Sequence, residues 1–168
     1  SKVSPDRLLD ELKKIVLSDG FAKLTKDKFC QEIIALVFPQ LINLGIFKNI
    51  NDYSKKLIEK KDFIFLISLM IIDDTDNSEY FIYKYNISNE DKKRIRFLSN
   101  IYSKNLDKSI FKEKNLWKIL YYNGKDYLID LINFKIFQNK KLDKDLVKLK
   151  IFFSNQKVPK LEINARIL

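Results

Sequence analysis

The sequence predicts an all-α fold, arranged as an elongated array of short helices. Apolar residues recur at intervals of three and four along nearly all of the 168 residues, which is the spacing of one face of a helix. No Asn-Gly or Asp-Gly pair lies between two runs of alternating apolar and polar residues, so the usual signal of a β-hairpin is missing. Residues 126–137 are rich in isoleucine and phenylalanine, which leaves a strand open as an alternative there.

The first helix is predicted from its ends. Ser4 can cap it, Pro5 suits the first helical position, and Asp6 lies at the positive end of the helix dipole. An apolar stripe follows, and Asp19-Gly20 is expected to end the helix. The stripe consists of Leu8, Leu9, Leu12, Ile15 and Val16.

Further helices are predicted along the rest of the chain. One is expected from Thr25 to Val37, and a short piece is expected to end at Leu44-Gly45 with Gly45 in the left-handed conformation. Residues 63–72 are apolar almost all round, which predicts a central core helix. The remaining helices are predicted to begin at Asn51 or Asp52 and at Ser88, where Asp91 completes a capping box, and to cover 111–121, 125–137 and 142–155.

The composition excludes several classes of active site. The chain has no histidine, one cysteine and three glycines. Catalytic triads, Cys-His pairs, histidine metal clusters, disulfide scaffolds and glycine-rich phosphate loops are therefore excluded. We expect no catalytic residue, no metal and no cofactor in this chain. No segment resembles a signal peptide, and residues 63–72 are about half as long as a bilayer span requires. We therefore expect a cytoplasmic protein with no membrane partner.

Three acidic residues could suggest a metal site. Asp73, Asp74 and Asp76 lie on one short segment, and carboxylates are the ligands that hard cations prefer. A solvated loop is the favoured interpretation, because a calcium loop needs a longer series of ligands and a glycine. Cys30 is interpreted as a small buried residue, since no histidine can activate it.

An aromatic group has two interpretations. Trp117, Tyr121 and Tyr122 could stack on nucleic-acid bases. At helical spacing in an apolar segment, packing into the core is the favoured interpretation.

The basic residues are the most informative feature. Lysine and arginine number 32 against 22 aspartate and glutamate, a net charge of +10. Side chains of residues 92, 93, 94 and 96 are predicted to point outward, and a second group follows at residues 140–148. Such rows suit phosphates spaced along a nucleic acid. The lysine bias of an AT-rich genome is the competing explanation. The candidate RNA-binding residues are Lys92, Lys93, Arg96, Lys104, Lys140, Lys141, Lys144 and Lys148.

The N-terminal segment resembles a known sequence motif. Residues 3–15 read Val-Ser-Pro-Asp-Arg-Leu-Leu-Asp-Glu-Leu-Lys-Lys-Ile, which is similar to the last motif of bacterial class II CCA-adding tRNA nucleotidyltransferases and poly(A) polymerases. That motif runs Ser-x-Glu-Arg-Ile-x-x-Glu-Leu with a lysine shortly after. The matching residues are Ser4, Arg7, Glu11, Leu12 and Lys14, with Leu8 a conservative match and Asp6 in place of glutamate.

Two further segments resemble the same family. The first comprises Phe38-Pro39 and Leu44-Gly45-Ile46-Phe47, similar to the family's segment after the neck. The second, Pro159 to Leu168, is similar to a late pattern of the form P-x-L-x-I-x-G-R-D-L. Ala165 and Ile167 depart from the glycine and the aspartate of that pattern.

The resemblance implies the C-terminal portion of such an enzyme, with a neck-like region at 1–60 and a body- and tail-like region at 61–168. In the family, these parts hold the acceptor and T arms of tRNA through the backbone and position the RNA 3′ end. An N-terminal catalytic head in cis, absent from this sequence, uses Mg²⁺ with CTP or ATP. Arg7 and Glu11 would pair one turn apart and support the segment that selects the nucleotide. The sequence does not distinguish CCA addition, partial CCA addition and poly(A) addition, because that choice lies in segments not present in it.

Two other functions remain open at this stage. The chain could be a helical protein-protein interaction module with incidental basic charge. It could also be an independent basic regulator that binds any nucleic acid duplex. Binding that is steeply salt-dependent and prefers a structured tRNA arm would favour the tRNA-related function over both.

Overall fold

The computed structural model describes residues 3–103 and 108–158. These residues form ten α-helices and two short 3-10 helices, at Leu44–Phe47 and Lys108–Phe111, and contain no strand. The prediction of an all-α fold is confirmed, and residues 126–137 are helical. The α-helices are α1 (Pro5–Val16), α2 (Phe21–Leu24), α3 (Lys28–Val37), α4 (Asp52–Glu59), α5 (Phe63–Ile71), α6 (Asn77–Lys84), α7 (Asn89–Ser103), α8 (Glu113–Asn123), α9 (Lys125–Gln138) and α10 (Lys144–Ser154).

Side-chain caps begin several of these helices where the sequence predicts them. Ser4 Oγ accepts a hydrogen bond from the Arg7 amide at 3.3 Å, and Asn51 caps α4 in the same way at 2.8 Å. Ser88 Oγ accepts from the Asp91 amide at 3.2 Å and donates to the Asp91 carboxylate at 2.9 Å. Each cap satisfies a backbone donor that the helix itself leaves free.

Two local predictions are wrong. The helix predicted from Thr25 to Val37 begins only at Lys28, because the Asp27 carboxylate accepts from the Cys30 amide at 3.1 Å and starts α3 there. Gly45 lies inside a 3-10 helix and is not left-handed; the one glycine in the described residues with positive φ is Gly124, at 90°.

The buried side chains form two clusters, and helix α9 belongs to both. The first cluster is built around α5, which is buried along almost its whole length, and includes residues from α1 to α7. The second lies between α8, α9 and α10. Two different faces of α9 contribute to the two clusters. Leu131, Phe134 and Phe137 lie in the first cluster, and Leu128, Ile132 and Ile136 lie in the second.

The first cluster includes residues on both sides of position 60. Leu57 of α4 and Phe63 of α5 are both buried in it. The division of the chain into regions 1–60 and 61–168 stays a prediction. In the described part of the chain, no helix is both long and apolar enough to cross a bilayer.

An arginine between two aspartates joins α5, α7 and α9. Arg94 of α7 donates to Asp130 of α9 at 2.5 and 2.8 Å, and to Asp62, the N-cap of α5, at 2.6 and 2.9 Å. The prediction that Arg94 points outward is wrong. Its guanidinium turns inward because a planar fork of donors can bind two carboxylates at once.

The two carboxylates of this cluster respond differently to their surroundings. Burial raises the pKa of Asp62, but hydrogen bonds and charge from Arg94 outweigh burial and leave the pKa below its ordinary value. Asp130 is more deeply buried, and burial raises its pKa despite the same arginine. Arg94 holds one positive charge against two carboxylates, so removing it leaves both of them without a counter-charge.

We expect Arg94→Met to lower the free energy of unfolding by about 3 kcal/mol, because the two carboxylates would lose the one residue of the described chain that forms an ion pair with them. The matched control is Arg96→Met, two residues along α7. Arg96 also binds a carboxylate, Glu79, with two hydrogen bonds, but both side chains are about half exposed. Urea unfolding of both variants is the measurement, and equal losses would contradict the structural role given to Arg94.

The lowered pKa of Asp62 predicts a pH dependence of stability. When the pH falls below about 4, the ordinary aspartate pKa, the unfolded chain takes up a proton at Asp62 before the folded chain does. The stabilisation from ionised Asp62 is present above that pH and is lost as the pH falls through the folded pKa. The stability difference between wild type and Asp62→Asn should therefore be smaller at pH 3 than at pH 6 in urea unfolding. Asp10→Asn, on the exposed side of α1, is the control. A constant or growing difference for Asp62→Asn would contradict the expectation.

Candidate nucleic-acid interface

The positive charge is concentrated in the C-terminal part of the chain. Residues 1–103 contain 17 lysines and arginines against 15 aspartates and glutamates. Residues 104–168 contain 15 against 7. Most of the net charge therefore belongs to the segment that includes α8, α9 and α10.

Helices α8 and α10 run in the same direction on one side of α9. The Trp117 ring of α8 meets the Phe152 and Phe153 rings of α10, with centroids 6.0 and 5.2 Å apart. Lys125, directly after α8, donates through Nζ to the carbonyl of Ser154 at 3.0 Å, so the last residues of α8 and α10 lie together. Both helices pack on α9.

This packing directs the lysines of both helices to the same exposed side. Buried residues of α8 and α10 face α9, and Trp117 and Phe152 lie where the two helices touch. At 100° per residue, Lys114 and Lys118 of α8 and Lys144 and Lys148 of α10 fall on the side opposite α9, whereas Lys150 of α10 lies over the Tyr53 ring at 4.8 Å. The α8 row consists of Lys114, Lys118 and Tyr122. The α10 row consists of Lys144, Lys148 and Phe152.

The two rows share one sequence pattern. In each row, two lysines and then an aromatic residue follow one another at intervals of four residues. All four lysines are exposed, and Tyr122 and Phe152 expose 78% and 41% of their surface. We call Lys114, Lys118, Lys144 and Lys148 the lysine face. Sequence analysis found its α10 half and missed its α8 half, although the spacing in α8 is the same.

The predicted lysines at residues 140–148 all lie at or near this face. Lys140 and Lys141 are exposed in the segment before α10, and Lys144 is the first residue of that helix. Lys148 lines a groove of about 380 Å³ together with Glu113 and Asp145, so carboxylates partly offset its charge.

The predicted residues of α7 lie elsewhere. Arg96 holds Glu79 at 2.7 and 2.9 Å, and these hydrogen bonds lower the pKa of Glu79. Lys92 is half-buried and Lys93 is exposed, while Lys104 lies outside the described residues.

Helix α9 separates the α7 residues from the lysine face. Helix α7 packs on the other side of α9, with the Phe97 and Tyr127 rings 5.1 Å apart. The two predicted basic groups are therefore not brought together on one surface.

Of the three aromatic residues of α8, one packs as the sequence predicts. Trp117 is partly buried against α10. Tyr121 and Tyr122 expose 38% and 78% of their surface, so the prediction that they pack into the core is wrong. Their position follows from the rotation of the helix, which turns Leu116 and Leu120 toward α9 instead.

The motif at the start of the chain forms the first turns of α1. Asp6 and Arg7 are exposed there. Glu11 pairs with Lys14 at 3.2 Å, and within the described chain no ion pair joins it to Arg7. The predicted pairing of Arg7 with Glu11 is therefore wrong. The resembling segment Pro159 to Leu168 lies outside the described residues.

The aspartate-rich segment forms local hydrogen bonds. Asp73 accepts from the amide and the hydroxyl of Thr75 at 2.9 and 2.6 Å. Within residues 3–103 and 108–158, no group of three or more cysteine and acidic side chains could hold a metal ion. Cys30 is half-buried, on a helix with no fully buried residue, so the prediction that it is buried is wrong.

A separate cavity of about 630 Å³ lies beside the first cluster. Buried side chains such as Phe21 and Phe47 line it, and the exposed lysines Lys26, Lys55 and Lys61 stand at its edge. Its walls come from the first part of the chain, up to Lys61, so it is not part of the surface formed by α8 and α10.

Comparison with protein-family models, with curated proteins and with solved structures finds no match for this chain.

The turn between α8 and α9 depends on one glycine. Gly124 has φ 90° and ψ 170°, a conformation that is almost confined to glycine. A Cβ atom there would meet nothing within 4 Å, so an alanine would strain only the backbone. We expect Gly124→Ala to lower the free energy of unfolding by about 1–3 kcal/mol in urea unfolding. The control is Gly45→Ala, which also has open space but no positive φ and should cause no loss. Equal effects of the two substitutions would contradict the conformational requirement.

Proposed function

We propose that this chain binds folded RNA through the lysine face of α8 and α10. In this proposal it is the RNA-binding C-terminal portion of an enzyme of the CCA-adding tRNA nucleotidyltransferase and poly(A) polymerase family. The observation that carries the proposal is the arrangement of two lysine rows on parallel neighbouring helices, both on the side away from α9.

The lysine face suits the RNA backbone better than base edges. Successive lysines in each row are about 6 Å apart along the helix axis, and their flexible ammonium groups act as point charges rather than as planar readers of bases. Structured RNA is recognised mainly by shape and through its phosphates and 2′-hydroxyls. A surface of four lysines therefore supports binding to a folded arm of RNA with little dependence on sequence.

The resemblance of residues 3–15 supplies the enzymatic context of the proposal. A catalytic head in cis would carry out nucleotidyl transfer from CTP or ATP with Mg²⁺. The residues of this chain would hold the acceptor and T arms, so that the RNA 3′ end reaches that head. Within the resembling segment, Ser4 fixes the start of α1 and Lys14 pairs with Glu11.

One observation favours protein binding as a second candidate function. Helix α3 has no fully buried residue, and it exposes Phe29, Ile33, Leu36 and Val37, with exposed fractions of 45–83%. These residues follow the spacing with which an amphipathic helix meets a partner. This surface would serve a protein-protein interaction module even if the lysine face bound no RNA.

The proposed function predicts a large effect from neutralising the lysine face. The variant Lys114→Gln, Lys118→Gln, Lys144→Gln and Lys148→Gln should bind a labelled tRNA acceptor minihelix much more weakly. The slope of log affinity against log salt should fall by about 1 for each lysine that contacts a phosphate. Fluorescence anisotropy at several salt concentrations measures both quantities.

A charge-matched variant separates a binding surface from a general effect of net charge. Lys23, Lys28, Lys48 and Lys56 are exposed lysines of the first part of the chain, and changing all four to glutamine removes the same charge. This control should keep the salt slope of the wild type. Equal losses in both variants would contradict a specific face. Equal binding to duplex DNA would favour the general nucleic-acid regulator, and absence of binding would favour the protein-interaction function.

A further inference from the structure

Tyr122 is an aromatic side chain that the core does not use. It exposes 78% of its surface at the end of α8, and its one recorded ring partner in the described chain is its neighbour Tyr121, 5.0 Å away and inclined at 83°. The two rings therefore form an exposed corner.

The residues before Tyr122 give this ring a charged context. Lys118 and Lys114 lie one and two turns earlier on the same face of α8. Tyr83 of α6 offers a direct contrast, because it is 87% exposed but has Glu79 one turn earlier. An exposed tyrosine is thus combined with two ammonium groups on α8 and with a carboxylate on α6.

This combination indicates the chemical class of the ligand. Bases stack on aromatic side chains irrespective of their identity, while lysines beside the ring bind the phosphates. A base inside a duplex is covered on both faces by its neighbours, and the terminal pair on one face, whereas unpaired nucleotides leave both faces free to stack on Tyr122.

We infer that Tyr122, with Lys118 and Lys114, forms a stacking platform for unpaired nucleotides of the bound RNA. The inference rests on the proposed function, because the lysine face would hold the folded part of the same RNA. The platform adds a preference that the lysines alone do not provide: RNA with a single-stranded extension binds more tightly than the blunt-ended form.

The test compares two RNAs and three variants of the full chain. One RNA is a two-stranded acceptor-stem duplex without a hairpin loop that carries a five-nucleotide single-stranded 3′ extension, and the other is the same duplex with blunt ends. Tyr122→Ala should lose about tenfold in affinity for the extended RNA, a change within the range for one base-aromatic stack. Its affinity for the blunt RNA and its salt slope should stay unchanged, because no charge is removed. Tyr122→Phe should keep the preference, and Tyr83→Ala should behave as the wild type.

The outcomes separate this inference from the proposed function. If the wild type binds neither RNA, the proposed function fails and the platform fails with it. If the wild type binds both RNAs with salt dependence but Tyr122→Ala keeps full affinity for the extended form, only the platform is refuted. An equal loss for Tyr122→Ala on both RNAs would also refute it, since stacking on unpaired nucleotides requires the extension.

Discussion

Helix α9 must be buried on two sides, and the arrangement of the other helices follows from this constraint. One face carries Leu131 and Phe134 into the first cluster, and the opposite face carries Leu128 and Ile132 into the second. A helix with apolar residues on two faces is stable only when neighbours cover both of them. Helices α8 and α10 cover one side, so their own polar residues are left to the side away from α9. The lysine face is thus a consequence of how α9 is covered.

The polar cluster around Arg94 fixes the other side of α9. Apolar packing is non-directional, whereas the two carboxylates must meet the planar guanidinium at defined angles. Asp62 caps α5 through the Phe65 amide at 3.2 Å while it binds Arg94. One residue therefore sets the start of the core helix and its relation to α7. Burial of these charges costs free energy, which the hydrogen bonds offset; what the cluster adds is a single orientation of α5, α7 and α9.

Local signals in the sequence identify most helices but not the contacts between them. Ser4, Asn51 and Ser88 can be recognised as caps because each acts within three residues of itself. Arg94 and Arg96 have the same local surroundings, and their partners lie 36 and 17 residues away, so no local pattern distinguishes the buried arginine from the exposed one. The exposure of Tyr122 likewise depends on which side of α8 meets α9. Tyr122 lies four residues after Lys118, but the buried residues Leu116 and Leu120 are also four residues apart.

The uneven distribution of charge bears on whether the lysines reflect function or the composition of a genome. A mutational bias toward lysine acts on every part of a coding sequence alike. Residues 1–103 nevertheless have nearly balanced charges, 17 against 15, while residues 104–168 have 15 against 7. Helices α8 and α10 hold five lysines against two acidic residues, and the rest of the excess lies in the segments outside these helices. A positively charged surface raises the local concentration of a polyanion and speeds its association. A general bias does not account for the uneven distribution of charge along the chain, and an excess of positive charge in this part of the chain is what the proposed binding of RNA phosphates requires.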